Sequence, residues 1–488
     1  MQVLKKISLA LCCLIIASCG TTNVRDEGGV DSVNTDIAEI GISDSDSFRV
    51  GMLLPLTGTD AKYGIGLKNA SMLALQDVNN PKLVLQYYDT QSTPAGARIA
   101  VQNAINQRSN LIIGPLKSSE VQAISNETIY QGVPVIAFST AQEVLQPTVY
   151  TMGLLIEEQV DRIITYATEK GRKRFALLLP DNPTGGAVAR AAVKSAQKNG
   201  VEITVIGFYV PGTSNFSDIA KEMTNYQRRH DRVLGLRNRL QSQADNGDVH
   251  AQKALKKLET REGLGDVGFD ALLIPESGAK LTAAISMFAY YDAAYPTVQF
   301  LGTSVWDAGR LNNEATISKS LYPTVSKVNT GAFASQYYMV FNEKPSSLYT
   351  LAYDAIGIAN RLSEDGNMNI NENITATNGF SGLNGKVRFF KDGSNQHSLD
   401  VVEVLPSGNI VVDSGDARFE TINDVLPDVE IGADYRMPKI FGKDSTLAQI
   451  LIYGQPLSVE NQINSATNSE NDNEIVAEQL RNMGIYIN

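Results

Sequence analysis

The chain has 488 residues, 43% of them apolar and 19% charged, enough to build two to four compact units with real cores. Its formal charge is −11, yet residues 48–414 carry 34 acids and 34 bases, so the acidity sits in residues 20–47 and 415–488. Acidic ends on a neutral body argue against nucleic acid as a partner and say little about any ligand.

Lys5 and Lys6 precede an apolar run, Ile7 to Ile16, that is too short to span a bilayer as a helix. The segment Ile16-Ala17-Ser18-Cys19-Gly20 follows it and resembles the lipobox of bacterial lipoproteins. The resemblance implies a signal peptide over residues 1–19, cleavage before Cys19, and acylation of Cys19. Several acyl chains then hold the protein on a membrane at the periplasmic side of the envelope. Gly20, in place of an acid, points by the same analogy to the outer membrane. The alternative is an ordinary secretory signal with a chance cysteine. Cys12 and Cys13 leave with the signal, so the mature chain keeps one thiol and has no disulfide framework, zinc site or catalytic cysteine. Residues 20–47 are polar, acidic and free of aromatics up to Phe48, and are expected to be a disordered tether with a reach of roughly 30 Å.

From Phe48 onward strands and helices alternate. Phe48 to Leu54 is a strand, Gly66 to Val78 a helix with Leu67, Ala70, Ala74 and Val78 on one face, and Leu83 to Tyr88 a strand. Thr93-Pro94 opens a helix, with Thr as cap and Pro at the first helical position. Leu111 to Ile113 is a strand, Ser118 or Ser119 starts the next helix, and Val133 to Phe138 is a strand. The second unit reads helix Glu157–Lys170, strand Arg174–Leu179, helix Gly186–Asn199, strand Glu202–Tyr209, strand Ala271–Ile274, helix Lys280–Tyr290 and strand Gln299–Gly302. This alternation predicts parallel sheets with helices on both faces.

Residues 225–264 interrupt the second unit with nine bases and five acids. Val233, Leu236 and Leu240 form one helical stripe, Ala254, Leu255 and Leu258 another, and Asp245-Asn246-Gly247 marks a turn between them. The expectation is a helical hairpin that leaves Arg228, Arg229, Arg232, Arg237, Arg239 and Lys256 or Lys257 pointing largely outward. Ser346 to Glu364 is a long helix, and Gly385 to Val412 reads as hairpin strands turning at residues 391–393 and 406–408. Residues 414–488 are expected to be an acidic, largely disordered tail with a short helix near Ile475–Met483.

In open parallel sheets ligands bind beyond the carboxyl ends of the strands. Three loops there are rich in hydroxyl residues: Pro55-Leu56-Thr57-Gly58 with Tyr63 after it, Gly114 to Ser119, and Ser139-Thr140-Ala141. Ser118 and Ser119 sit at a helix start, where amide donors and the helix dipole favour a carboxylate; plain helix caps are the alternative.

PLTG, AKYG (Ala61–Gly64), GPLKSS and the Ser-Thr turn, in this order and spacing, resemble the type I periplasmic-binding fold, nearest to leucine/isoleucine/valine-binding receptors, from about Phe48 to Val412. The resemblance implies a two-lobed α/β protein, each lobe a parallel sheet with helices on both faces, and a hinge between lobes. Lobe 1 would take residues 48–150 and about 306–377, and lobe 2 residues 151–305 and about 378–413. It implies that Tyr63 lines the pocket with Thr57 nearby, and that Ser118, Ser139 and Thr140 hold the polar head of an amino-acid-like ligand. Glu276, in Pro275-Glu276-Ser277-Gly278, would pair with its ammonium; a solvated acid after a strand is the alternative. The chain departs from the receptors after Leu179, where Asp181 to Gly186 puts Thr184 near the position of a closing aromatic.

PLTG, YYDT, GPLKSSEV, FALLLPDNPTGG and the 225–264 insertion resemble the penicillin-binding protein activator lipoproteins. That resemblance implies a regulator of cell-wall synthesis that binds a peptidoglycan synthase, with Arg228, Arg232 and Arg239 as candidate partner contacts. The alternative is the receptor of an ABC importer for branched-chain or other amino acids, with a permease as partner. Neither reading is enzymatic. Gly64-x-Gly66 with Asp89 mimics a dinucleotide fingerprint, but Asn69 stands at the third glycine. His230, His250 and His397 belong to no catalytic or metal motif, so no cofactor, no metal and no catalytic residue is expected.

Overall fold

The computed structural model describes residues 47–308, 311, 315–327, 329–364, 369–419, 437–453 and 470–485. The expected signal peptide, Cys19 and all of the tether but Ser47 lie outside these residues.

The first sheet has five parallel strands in the order β2-β1-β3-β4-β5: β1 Phe48–Leu54, β2 Leu83–Asp89, β3 Leu111–Ile113, β4 Val135–Ala137 and β5 Val149–Thr151. β1, β3 and β4 lie between neighbours and under helices on both sides, which is why, beyond Arg49 at the start of β1, they are apolar runs. α1 (Ala61–Val78), α10 (Thr330–Phe341) and α11 (Tyr349–Glu364) cover one face through Leu67, Ala70, Phe333, Tyr349 and Ile356. α2 (Pro94–Asn106) and α3 (Ser118–Gln131) cover the other through Ala97, Val101, Val121 and Ile124. Thr93 caps α2 as the sequence predicts, its Oγ1 accepting the Gly96 N–H at 3.0 Å. Gly66 lets α1 press onto α11, since a Cβ there would lie inside the Tyr349 ring.

The second sheet has eight strands in the order β15-β14-β10-β9-β8-β6-β7-β16. These are β6 Arg174–Pro180, β7 Glu202–Tyr209, β8 Ala271–Leu273, β9 Gln299–Leu301, β10 Leu321–Val325, β14 Leu399–Glu403, β15 Ile410–Asp413 and β16 Lys439–Phe441. It is parallel except at one edge, where β14 pairs antiparallel with β10 and with β15. α4 (Ile156–Glu169), α5 (Pro183–Lys198) and α14 (Ser445–Tyr453) pack on one face, and α6 (Ser217–Met223) and α9 (Gly278–Tyr290) on the other. Both lobes therefore carry helices on both faces of their sheets, as expected.

Three of the predicted boundaries move. Residues 306–308, 311 and 315–325 belong to lobe 2, not lobe 1: Trp306 and Tyr322 are buried in its core, and the Trp306 indole donates to the Ile274 carbonyl at 3.0 Å. Within the expected lobe 2 hairpins, β11 (Phe380–Gly382), β12 (Gly385–Phe389) and β13 (Asn395–His397) form a separate antiparallel sheet whose Val387 and Phe389 enter the lobe 1 core. The tail is not wholly disordered either. β16 adds to the β7 edge, and Ala448 and Ile452 of α14 are buried against lobe 2. Gly442 holds φ +75, and a Cβ there would collide with the Phe208 carbonyl, so the chain can turn against β7 only with glycine at this position. The remaining residues of the expected tail, 420–436, 454–469 and 486–488, lie outside the described residues.

The helical hairpin forms as α7 (Tyr226–Asp245) and α8 (Val249–Leu258), with Val233, Leu236, Leu240, Ala254 and Leu258 buried. A third helix, α15 (Glu470–Asn482), closes the seam through Leu480, and the chain just beyond it adds Ile485. Lys257 Nζ donates to the Met483 carbonyl at 2.7 Å, and the Gly265 N–H to Gln479 at 2.9 Å.

Two expected outward arginines point inward. Arg229 is buried, pairs with Asp292 and donates to the Tyr291 carbonyl. Arg237 reaches the carbonyls of Leu258, Glu259 and Arg261, where it caps the end of α8. Among the described residues, no helix is long and apolar enough to cross a membrane.

Candidate functional site

In lobe 1 the loops after β1, β2 and β3 brace one another. The Asp89 carboxylate ends β2 and accepts the N–H groups of Leu56 (2.9 Å), Thr57 (3.1 Å) and Gln91 (2.8 Å) and the Thr57 hydroxyl (2.6 Å). Partial burial opposes its charge, but these four donors outweigh that and hold its pKa below the ordinary carboxylate value. Thr57 is thus committed to its own loop. The Ser92 hydroxyl donates to the Thr57 carbonyl at 2.8 Å and accepts the Asp60 N–H at 3.1 Å. Asp60 pairs with Lys117, whose hydrogen bond holds the Asp60 carboxyl below its usual range.

Lys117 occupies the cap position of α3 with no side-chain capping bond, and Ser118 is the first helical residue. The two serines at this helix start are therefore not caps. Ser118 is half-buried and Ser119 exposed, with neither hydroxyl engaged among the described residues. Beneath them Glu120 is fully buried, and burial pushes its carboxyl up. Neither of its carboxylate oxygens has a hydrogen-bond partner among the described residues. Ser139 is 4% exposed; its Oγ accepts the Ala141 N–H at 3.1 Å, which leaves the hydroxyl proton for another acceptor. Thr140 is exposed beside it, and Tyr63 stands on α1 at 45% exposure.

In lobe 2 the matching loops follow β6, β7 and β8. Glu276 is half-buried and accepts the phenol proton of Tyr209, so it is not the solvated acid of the alternative reading. Burial and this neighbour raise the Tyr209 pKa far above the ordinary phenol value. The Asp181 N–H donates to the Tyr209 carbonyl at 2.8 Å, and the Asp181 carboxylate pairs with Lys443 from the chain just after β16. Asn182 caps α5 by accepting the Gly185 N–H at 3.0 Å, and Thr184 is exposed in its first turn.

The predicted residues thus divide between the strand ends of the two lobes. Thr57, Ser139 and Thr140 lie on lobe 1 loops, with Tyr63, Ser118 and Ser119 in the first turns of the helices that follow, and in lobe 2 Glu276 lies on a loop and Thr184 in the first turn of α5. Asp89, Tyr209 and Lys443 were not singled out as site residues. Asp89 ends a strand in the YYDT motif, a signal that was available; Lys443 stands where composition suggests no structure. Of the candidate partner contacts, Arg228 and Arg239 are exposed on α7 and Arg232 is half-buried. Among the described residues, no group of three His, Cys, Asp or Glu side chains is arranged to hold a metal.

Two lobes, each a doubly covered sheet, with strand-end loops carrying hydroxyls on one side and acids on the other, define the type I periplasmic-binding fold. Residues 47–233 match the family described as Periplasmic binding protein. The chain is 24% identical over 190 residues to the Leu/Ile/Val/Thr-binding protein of Salmonella typhimurium, covering 37% of this chain and 52% of that protein. It is 23% identical over 332 residues to the Leu/Ile/Val-binding protein BraC3 of Rhizobium johnstonii, covering 60% of this chain and 90% of that one. The chain therefore spans about half of the first relative and most of the second. Among solved structures, a putative branched-chain amino acid ABC transporter from Rhodospirillum rubrum matches with a TM-score of 0.59 at 16% identity, over 75% of this chain and all of that one. An ABC transporter substrate-binding protein from Sphaerobacter thermophilus matches at 0.54 and 15% identity, over 75% and 97%. At these identities the structural likeness establishes the fold alone.

Proposed function

We propose that the chain is a solute-binding protein of the bacterial envelope that clamps a small, carboxylate-bearing, amino-acid-like ligand between its lobes and presents it to an ABC permease. The observation that carries this reading is the set of lobe 1 hydroxyls, the uncommitted Ser139 hydroxyl proton and the unengaged Ser118, Ser119 and Thr140, on segments that the Phe138 N–H joins through the Pro115 carbonyl at 3.0 Å. Hydroxyls and the free N–H groups of a helix start together make a carboxylate site without a fixed cation. The names of the relatives point to the same ligand class. Tyr63 supplies an apolar wall, and Glu276 with its Tyr209 partner supplies the acceptor for an ammonium. The protein binds and does not catalyse. On this reading Cys19 carries lipid, and residues 20–47 tether the folded body to the outer membrane.

A second reading, regulation of a peptidoglycan synthase, is favoured by a separate observation. The α7–α8 hairpin is consolidated by α15, and Lys443 neutralises Asp181 just after β6. A solute receptor needs neither feature. Calorimetric titration of the chain with leucine, isoleucine, valine and threonine, alongside affinity purification from envelope extracts, separates the two. Saturable binding that Ser139→Ala abolishes supports the receptor. A silent cleft with a co-purifying synthase whose capture fails on reversing Arg228, Arg232 and Arg239 to Glu supports the regulator.

A further inference from the structure

Thr90, just after β2, and Glu120, in the first turn of α3, are both fully buried. An acid at the Glu120 place in a helix usually reaches back to the cap residue and satisfies its N–H. Here neither carboxylate oxygen makes a hydrogen bond among the described residues. The groups beside the carboxyl are the Thr90 hydroxyl, whose Oγ1 is also unpartnered among those residues, and the Lys117 N–H. A buried carboxylate without donors is costly, whereas a neutral acid has one proton to give and Thr90 Oγ1 is an acceptor at hand.

The surrounding charges act in both directions. Burial pushes the Glu120 carboxyl up; Thr90 and the Lys117 ammonium pull it down, and the Asp60 carboxylate adds to the upward push. Asp89, the residue before Thr90, keeps its charge on four donors of its own. Of the other elements packed on α3, α2 carries Arg98 and the short helical turn Gln142–Val144 carries Glu143, and both side chains are exposed. On α3 itself Glu127 lies further along the helix.

We propose that Glu120 is a positioning residue for the lobe 1 site: in its neutral form it fastens α3 to Thr90 and leaves the helix start open to a carboxylate, and in its ionised form it repels that carboxylate. The proposal rests on the reading of lobe 1 as a carboxylate site. Glu120 touches no ligand; it acts through the charge it adds within the same helix turn as Ser118 and Ser119, where burial leaves little water to screen it. By linkage, a bound carboxylate makes Glu120 harder to ionise, so binding takes up a proton. Affinity is full while Glu120 is neutral and falls as pH rises through the range in which it ionises. An acid that meets the ligand's ammonium, the role proposed for Glu276, gives the opposite slope.

Calorimetric titration of the full chain with leucine, isoleucine, valine and threonine at about pH 5 and about pH 8 tests this. The dissociation constant of each ligand that binds should rise about fivefold or more across that range. Glu120→Gln, which keeps the shape of the neutral acid and cannot ionise, should lose this dependence. Repeating the titration of the unaltered chain in buffers of low and high ionisation enthalpy should show proton uptake on binding. A merely structural acid gives no uptake, and this readout needs no variant to fold. A Glu120→Gln profile as steep as that of the unaltered chain, or binding without proton uptake, overturns the proposal and leaves the carboxylate site standing. No binding of any of the four at either pH overturns both.

Discussion

The strand-end loops of the two lobes share one plan, a parallel strand ending in a loop that starts a helix, but they are finished differently. In lobe 1 the loops hold one another through Asp89, Ser92 and the Asp60–Lys117 pair, and their outward hydroxyls stay unengaged. In lobe 2 the chain has already used its acids: Glu276 binds Tyr209, and Asp181 binds Lys443 from a distant segment. On the proposed reading, one half-site is preorganised to receive, while the other is partly self-occupied. A receptor can work with an asymmetry of this kind, because a rigid half-site lowers the ordering cost of binding and the second half closes onto it.

Removing the segment that finishes lobe 2 should have the largest effect. Truncation after residue 436 deletes β16, α14 and α15 and uncovers the faces that Ala448, Ile452, Leu480 and Ile485 bury. At about 1.5–3 kcal/mol per large buried side chain, less the ordering of the segment, the loss is roughly 3–5 kcal/mol. Urea unfolding should show it as a lower midpoint, with lobe 1 the last to melt. An unchanged midpoint would mean that the segment does not belong to the lobe 2 fold.

Acidity should affect lobe 1 in two opposite ways. Burial pushes Asp354 up to about 6, against donors from Leu383 and Asn384 that hold it down. A carboxyl raised in the folded state stabilises fully below its unfolded value of about 4, and this contribution is lost as pH rises through about 6, on the order of 2–3 kcal/mol in all. Asp354→Asn should flatten the stability profile across that window. Asp89, held low, behaves oppositely: its contribution is present above about pH 4 and fades as pH falls below it. Asp89→Ala, which strips the acceptor from three N–H groups at once, should cost about 2 kcal/mol near neutral pH and abolish ligand binding in the same titration.

The smallest effect on stability, and the sharpest on the comparison, belongs to Lys443→Ala. The pair it breaks is partly exposed, Lys443 being 17% and Asp181 34% exposed, so the change should cost less than about 1 kcal/mol. It returns the Asp181 charge to the cleft, and affinity for an ammonium-bearing ligand should rise several-fold. Unchanged affinity would show that Asp181 does not face the ligand.

Much of this architecture is legible from the residues because its signals are local. The apolar strands, the Thr93-Pro94 helix start and the two stripes of the hairpin each specify an element within a few residues. What escapes is non-local. Pro323 argues against a strand, yet β10 tolerates it because β9 pairs with β10 only at Leu321, so beyond that point one side of β10 has no strand to bond and Pro323 sits as on an edge. β16 is only three residues long, in a stretch with no alternation of strands and helices around it, and the edge of β7 makes it a strand. Arg229 and Arg237 look like surface charge until α9 and the end of α8 supply carbonyls and an acid for them. In the site, the hydroxyl loops could be read from their position after strands, whereas the partners that occupy Glu276 and Asp181 come from Tyr209 and Lys443, which no spacing connects to them.

The central claim is that the lobe 1 hydroxyl cluster holds a carboxylate, and calorimetric titration of the intact chain and of Ser139→Ala against leucine, isoleucine, valine and threonine tests it most directly. At least one of the four should bind the unaltered chain saturably, and Ser139→Ala should weaken that binding by tenfold or more, about 1.4 kcal/mol, with its unfolding midpoint little changed. No heat from any of the four at millimolar concentration, or equal binding by the variant, would contradict the account.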